Sequence, residues 1–277
     1  MLKNKFLFKS LAQPILSRNK KFLNIHKNKT CYIFGNGASI KNLDLKDFSD
    51  LPTIGINHLC LHKDFKYLDT KYYVLPESFF FYPYKKNIYT GKRFEENIMG
   101  KLFKKSFNEF KKINLFTSLT NFFGAQFPNV YYIHHFGYKL PDIKYNQIDS
   151  IFSFMSGGLN AAIGLAINLG FSKAYLVGCD YLFSPVKYGH FYDFGPPQIS
   201  TDKEIYPNLI HESSKLIKLC VITDKGISNH LDYIEYTDYK SKKINYKENT
   251  EIIKSEYLKI LDKAHKIGLH TNKIFNV

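Results

Sequence analysis

Cys31–Ile40 reads CYIFGNGASI. Four residues suited to a buried strand run straight into Gly-Asn-Gly, followed by a small residue and a serine. The two glycines permit a sharp turn and close backbone approach, and the amides of the next turn can receive a phosphate or ribose oxygen. The same residues also suit a plain strand-ending turn. The third glycine of GxGxxG and the Lys-Ser/Thr pair of a P-loop are both missing, so neither nucleotide rule applies directly.

Similar strand-like runs recur along the chain: Thr30 to Phe34, Thr53 to Ile56, Tyr72 to Leu75, Ile113 to Phe116, Val130 to Ile133, Ala174 to Val177 and Leu219 to Ile222. Most are short, apolar and unalternating, as strands covered on both faces are. Helical patterns separate them. Arg93 to Lys112 places Phe94, Ile98, Leu102, Phe103, Phe107 and Phe110 on one side. GLNAAIGLAINLG predicts a second helix that buries Leu159, Ile163, Ala166 and Ile167 and stops at Gly170. A last helix is expected from about Thr250 to Lys266, capped by Asn249 or Thr250 and ended by Gly268. Together these predict an α/β, Rossmann-like fold: a mainly parallel sheet with helices on both faces, in one nucleotide-binding domain over residues 29–277. Tyr181 to Asn208, rich in aromatics, Gly and Pro, exceeds ordinary loop length and is expected to form a lid or extended aromatic loop over about 181–210.

A chain of 277 residues, 44% hydrophobic and 17% aromatic, can build a substantial core. Four scattered cysteines, with no CxxC pair, indicate neither a disulfide framework nor a zinc site and point to a reducing, cytoplasmic setting. The net charge of +15 is uneven: residues 1–29 contain seven lysines and Arg18 but no acid. Apolar residues such as Phe6, Leu7, Phe8, Leu16 and Phe22 interleave with them. Residues 1–28 therefore read either as a basic amphipathic arm lying on an anionic membrane, peripheral at the inner face, or as a helix packed on the domain with its lysines solvated. Their apolar runs are too short to span a bilayer or form a signal peptide. Arg18 and Arg93 are the only arginines, which argues against a dedicated nucleic-acid binder.

Two other strand ends bear polar residues as the first does. Asn57 and His58 follow one strand, and Gly178, Asp180 and Tyr181 follow another. Ligands of open parallel sheets bind outside the carboxyl ends of the strands, so Asn36, Asn57 and Asp180 are expected to converge on one crevice; each alone also suits a satisfied turn. Ser156-Gly157-Gly158 opens the Ala-rich helix, and its amides and partial positive charge suit a carboxylate or phosphate or simply begin a tightly packed helix. His134-His135 has no carboxylate or third ligand beside it, so no metal is expected.

GNGASIKNLDL, the following GIN and SGGLNAAIGLAINLGFSKAYLVGCDY together resemble bacterial sialyltransferases of glycosyltransferase family 42. They are also similar to the related domain of motility accessory factor proteins. The likeness is scattered from Thr30 to about Tyr188. It implies a CMP-sugar donor whose nucleotide is held by Asn36 and Asn57, with Gly35, Gly37 and Ser39 forming the turn. It further implies that Ser156, Gly157 and Gly158 receive the sugar carboxylate or phosphate, and that Asp180 lies near the ribose. Tyr188 corresponds to a donor to the departing phosphate, with Tyr181 and Tyr192 as neighbouring candidates. The sequence departs from the family at three places: Ala38 stands where a proline is usual, Leu182 replaces a tyrosine, and Asn249 falls where a histidine base is expected. The base must then be another group, and His190 or His211 can serve because histidine titrates near working pH.

These implications describe a metal-independent, cofactor-free glycosyltransferase. It passes an acidic sugar (sialic acid, another nonulosonate or Kdo) to a hydroxyl of a glycan or glycolipid acceptor, in lipopolysaccharide or capsule biosynthesis, and is compatible with a homo-oligomer. Two alternatives are a diphosphotransferase of the pterin pyrophosphokinase-like type, which needs magnesium and clustered carboxylates, and a non-catalytic basic binding protein supported by charge alone.

Overall fold

The computed structural model describes residues 11–77, 80–81, 95–134, 142–155, 157–200 and 203–263. The strands are β1 Thr30–Phe34, β2 Thr53–Ile56, β3 Thr70–Leu75, β4 Asn114–Ser118, β5 Val130–Ile133, β6 Lys173–Val177, β7 Val186–Tyr188, β8 Gln198–Ser200, β9 Lys218–Thr223 and β10 Asp232–Glu235. The helices are α1 Gln13–Leu16, α2 Glu95–Glu109, α3 Gly158–Leu169, α4 Asn208–Ser213, α5 Tyr236–Lys240 and α6 Asn249–Ile252. Eight strands form one sheet in the order β10-β9-β6-β1-β2-β3-β4-β5, with every pair parallel. From β1 the chain winds to one side through β5 and then returns to β6 on the other side of β1. The β1–β6 junction is therefore the switch point, and ligands of open parallel sheets bind above the carboxyl ends at such a point.

Side-chain alternation along β1 builds both core layers. Tyr32 and Phe34 join Tyr73, Leu75 and the α2 residues Leu102, Phe103 and Phe107 on one face. Cys31 and Ile33 join Ile54, Val74 and α3 on the other. Of the four α3 residues expected inside, Ile163 and Ala166 are fully buried and Leu159 and Ile167 partly. Small residues let α3 press on its neighbours: a Cβ at Gly164 would lie 2.6 Å from the Phe154 ring. Gly170 ends the helix in the left-handed region, φ 86°, where a residue with a Cβ is disfavoured.

Some elements differ from the sequence reading. β10 is a half-exposed edge strand, and β7 and β8 make an antiparallel hairpin inside the long aromatic segment. The expected last helix is interrupted. Glu248 caps α6 through a capping box with Glu251, the chain then extends at Ile253, which is fully buried and bridges His62, and helix resumes over residues 255–263. Gly268 lies outside the described residues.

From residue 11 the basic segment is packed on the domain. Leu16 and Phe22 are buried, and the Phe22 ring lies edge-on to Phe116 and Tyr131 at 5.2 and 4.6 Å. Asn19, also buried, donates to the carbonyls of Tyr132 and Ile148 at 2.7 and 2.6 Å. Residues 11–28 are thus packed on the domain with their lysines exposed, and residues 1–10 lie outside the described set. No helix among the described residues is long and apolar enough to cross a membrane.

Candidate active site at the sheet's carboxyl edge

The Gly-Asn-Gly turn leaves β1 directly against the end of β6. Gly35 N–H donates to the Val177 carbonyl at 2.7 Å and Gly37 N–H to the Gly178 carbonyl at 2.8 Å. The fit leaves no room for side chains: a Cβ at Gly35 would lie 2.2 Å from the Gly178 oxygen, and one at Gly37 would lie 2.4 Å from the Asp180 carboxylate. Asp180 is 1% exposed and accepts from Ser39 twice, N–H to Oδ2 at 2.7 Å and Oγ to Oδ1 at 2.5 Å. Burial lifts its carboxyl to about 6, against the lowering effect of those two bonds. Ser39 and Asp180 thus face each other beneath the turn, with one Ser39 bond to each carboxylate oxygen. Below them the buried ammonium of Lys187 pairs with Asp224, which also accepts from Asn42.

Asn36 ties this turn to the end of β2. Its Nδ2 donates to the Ile56 carbonyl at 3.3 Å and its Oδ1 accepts from His58 N–H at 3.1 Å. Asn57 follows at φ 46°, a conformation asparagine tolerates better than most residues. Its carbonyl accepts from the Tyr73 hydroxyl at 2.8 Å, while its side-chain Oδ1 is buried without a partner. A Cβ at Gly158 would meet Asn57 Nδ2 at 3.0 Å, so the amino end of α3 abuts this asparagine. Gly157, at φ 97°, has open space on the side where a Cβ would stand. Gly158 therefore abuts Asn57, with the Asn36 side chain beside them at the end of β2; Ser156 lies outside the described residues.

The aromatic loop is fixed along the same turn. Gly37 and His190 form an antiparallel bridge, and Phe191 N–H donates to the Asn36 carbonyl at 3.1 Å. The Asp193 carboxylate accepts from His190 N–H at 2.7 Å and stands 3.3 Å from His190 Nδ1. Partial burial raises the Asp193 carboxyl, but the His190 donors outweigh it and hold the group below its ordinary range. The His190 ring stacks on Tyr192 at 4.8 Å, and Tyr192 in turn meets His58 at 4.7 Å. Ala38, Tyr188, His190, Asp193, Phe194 and Gln198 contribute to the wall of a cavity of about 230 Å³. Tyr181 lies 5.9 Å from Tyr188, ring to ring. His211 is elsewhere: it is exposed on α4 beside Tyr206, and none of its described contacts reaches the turn.

Three residues of this site, Asp193, Lys41 and Glu77, are not among those the sequence singles out, and a fourth, Asn249, has a task the sequence does not show. Asp193 partners His190. Lys41, buried, donates to the carbonyls of Asp193 and Gly195 at 2.5 and 2.6 Å. Asn249 sits fully buried and donates to the Tyr192 carbonyl at 2.8 Å, so the position aligned with a family histidine anchors the loop. Glu77, just beyond β3, has a carboxyl lifted to about 7 by burial, a buried Oε2 without a partner, and an electrostatic influence on Tyr192. For Asp193, Lys41 and Glu77 the sole sequence signal is the His-x-x-Asp spacing of residues 190–193. Lys41→Met would leave two loop carbonyls unpaired and is expected to cost about 1–3 kcal/mol. Faster proteolytic cleavage within residues 189–198 and a lowered melting temperature check this.

His58 sets a pH dependence. Burial, then the charge of His190, depress its pKa to about 4, with Asp193 opposing. The unfolded state takes up the proton first, so this contribution is fully present above about pH 6.5 and is lost as pH falls toward 4. His58→Phe should remove the loss. We expect the variant to gain about 2 kcal/mol relative to the parent between pH 7 and pH 4, less than full burial would give because part of the residue reaches solvent. Paired urea titrations at the two pH values measure the difference.

No family model matches the chain, and no curated protein matches it. Among solved structures, it is similar to the sialyltransferase CstII from Campylobacter jejuni in complex with the substrate analogue CMP-3FNeuAc. The identity is 18% over 85% of this chain and 99% of that one, with a TM-score of 0.44. A second CstII structure, with cytidine-5'-monophosphate, matches at 18% identity over 75% of this chain and 85% of that one, TM-score 0.37. Among the described residues, no group of three His, Cys, Asp or Glu side chains is placed to hold a metal ion.

Proposed function

We propose that this chain is a glycosyltransferase that moves an acidic sugar from a CMP-sugar to an acceptor hydroxyl. The observation that carries the reading is the bridge between Gly37 and His190, which places a histidine–carboxylate pair against the Gly-Asn-Gly turn. The motif resemblance supplies the cytidine nucleotide. Asn36, Asn57 and the amino end of α3 would hold the donor, and the cavity beside His190 would admit the acceptor.

With the Nδ1 proton directed at Asp193, His190 Nε2 is left as an acceptor and takes the hydroxyl proton. The acceptor oxygen bonds to the anomeric carbon as the bond from that carbon to the CMP phosphate breaks, and the electron pair leaves with CMP. Tyr188, Tyr181 or Tyr192 donates a hydrogen bond to the departing phosphate. Burial raises the Tyr192 pKa further, so this hydroxyl keeps its proton. Asn36→Ala removes both bonds between the turn and β2, and is expected to weaken CMP binding about tenfold. Calorimetric titration with CMP measures it.

A further inference from the structure

The edge where the strands begin, opposite the crevice, is lined with lysine. Lys29 precedes β1, Lys173 opens β6 and Lys218 opens β9. Backbone bonds lace these three entries together, Ser172 N–H to the Lys29 carbonyl and Lys218 N–H to the Ser172 carbonyl, both at 2.9 Å. Residues 20–29 continue the edge. The amides of Asn24, His26 and Asn28 bond the carbonyls of Asn168, Leu169 and Gly170 at the end of α3. Lys20, Lys21, Lys27 and Lys29 are exposed, and between them Leu23 and Ile25 are 36% and 45% exposed. Asp50, Asp69 and Asp232, at the entries of β2, β3 and β10, are each already paired, with Lys240, Lys71 and Lys218. Lys20, Lys27 and Lys29 have no acidic partner among the described residues.

We infer that this edge docks on an anionic phospholipid bilayer, with Leu23 and Ile25 entering the headgroup layer and the unpaired lysines meeting lipid phosphates. Apolar side chains interleaved with compact ammonium groups suit a lipid interface. Arg18 is the one arginine of residues 11–29, whereas nucleic-acid recognition leans on guanidinium forks. Five-residue strands place the crevice roughly 15 Å farther out. The crevice therefore faces away from the lipid. On the glycosyltransferase reading, which this consequence alone requires, the acceptor hydroxyl is held off the bilayer surface.

The chain contains no tryptophan, so single reporters are clean. Full-length Ile25→Trp and Phe194→Trp proteins are mixed with phosphatidylcholine vesicles, or with vesicles in which phosphatidylglycerol makes up about a third of the lipid. Brominated acyl chains act as quencher. The expected results are binding at least about tenfold tighter to the anionic vesicles and its loss in high salt, with quenching at position 25 and not at 194. Lys27→Glu/Lys29→Glu should weaken binding about tenfold with an unchanged melting temperature. Equal affinity for neutral vesicles, no binding, quenching at position 194, undiminished binding of the double variant, or preferential capture by a DNA duplex each overturns the inference. None of these readouts depends on CMP binding, so the two proposals fail separately.

Discussion

Gly35→Ala is expected to lower the free energy of unfolding by about 3 kcal/mol. The added methyl would stand 2.2 Å from the Gly178 carbonyl oxygen, a backbone atom held by its own bond from Gly37 N–H at 2.8 Å. Neither strand end can move alone, because β1 and β6 are in register over five residue pairs from Thr30–Lys173 to Phe34–Val177. Relief must come from parting the turn from β6, which also disturbs the Ser39–Asp180 bonds below it. The expected outcome is a lowered urea midpoint together with lost CMP binding. A variant as stable as the parent would show that the turn does not sit tightly against β6.

His190→Ala separates chemistry from binding. Its ring is the group offered as base, while its backbone holds the loop through the bridge to Gly37 and the bond to Asp193. Removing the ring leaves those backbone contacts intact. Transfer is expected to fall by about 10²–10⁴-fold, the range for loss of a general base, with CMP affinity unchanged. Asp193→Asn should act in the same direction by about tenfold, since it removes the charge facing Nδ1 but leaves the ring. Transfer assays with and without saturating acceptor, beside a CMP titration, check both. If His211→Ala, on the remote α4, proves the damaging substitution, the base has been misplaced.

The architecture was legible because buried parallel strands leave an unmistakable pattern. β1, β2 and β5 begin and end where their apolar runs do. β10 escapes that reading since DYIE is polar and half-exposed, and the β7–β8 hairpin escapes it because strands of three residues are too short for a period to register. Ile253 interrupts the last helix for a tertiary reason, its burial against His62, that no local period records.

The site was legible as to which strand ends matter, but not as to depth. Asn36 bonds the residues on either side of Asn57 at the end of β2, whereas Asp180, marked by the same strand-end logic, turns inward to Ser39. Strand-end position says where a side chain begins and is silent on which way it points. Likewise, a buried lysine such as Lys41 looks in sequence like any surface lysine; only the carbonyls of Asp193 and Gly195 around it reveal its task. Asn249, too, gives no sign in the sequence that it fastens the loop carrying His190, the loop that bridges the turn.

The central claim is that the Gly-Asn-Gly turn is the edge of a cytidine nucleotide site. Calorimetric titration of the full chain with CMP, in parallel with AMP and with the Asn36→Ala variant, tests it most directly. Saturable CMP binding about tenfold tighter than AMP, and weakened about tenfold by the substitution, is the predicted result. No heat of binding at millimolar CMP, or CMP binding indifferent to Asn36, would contradict it.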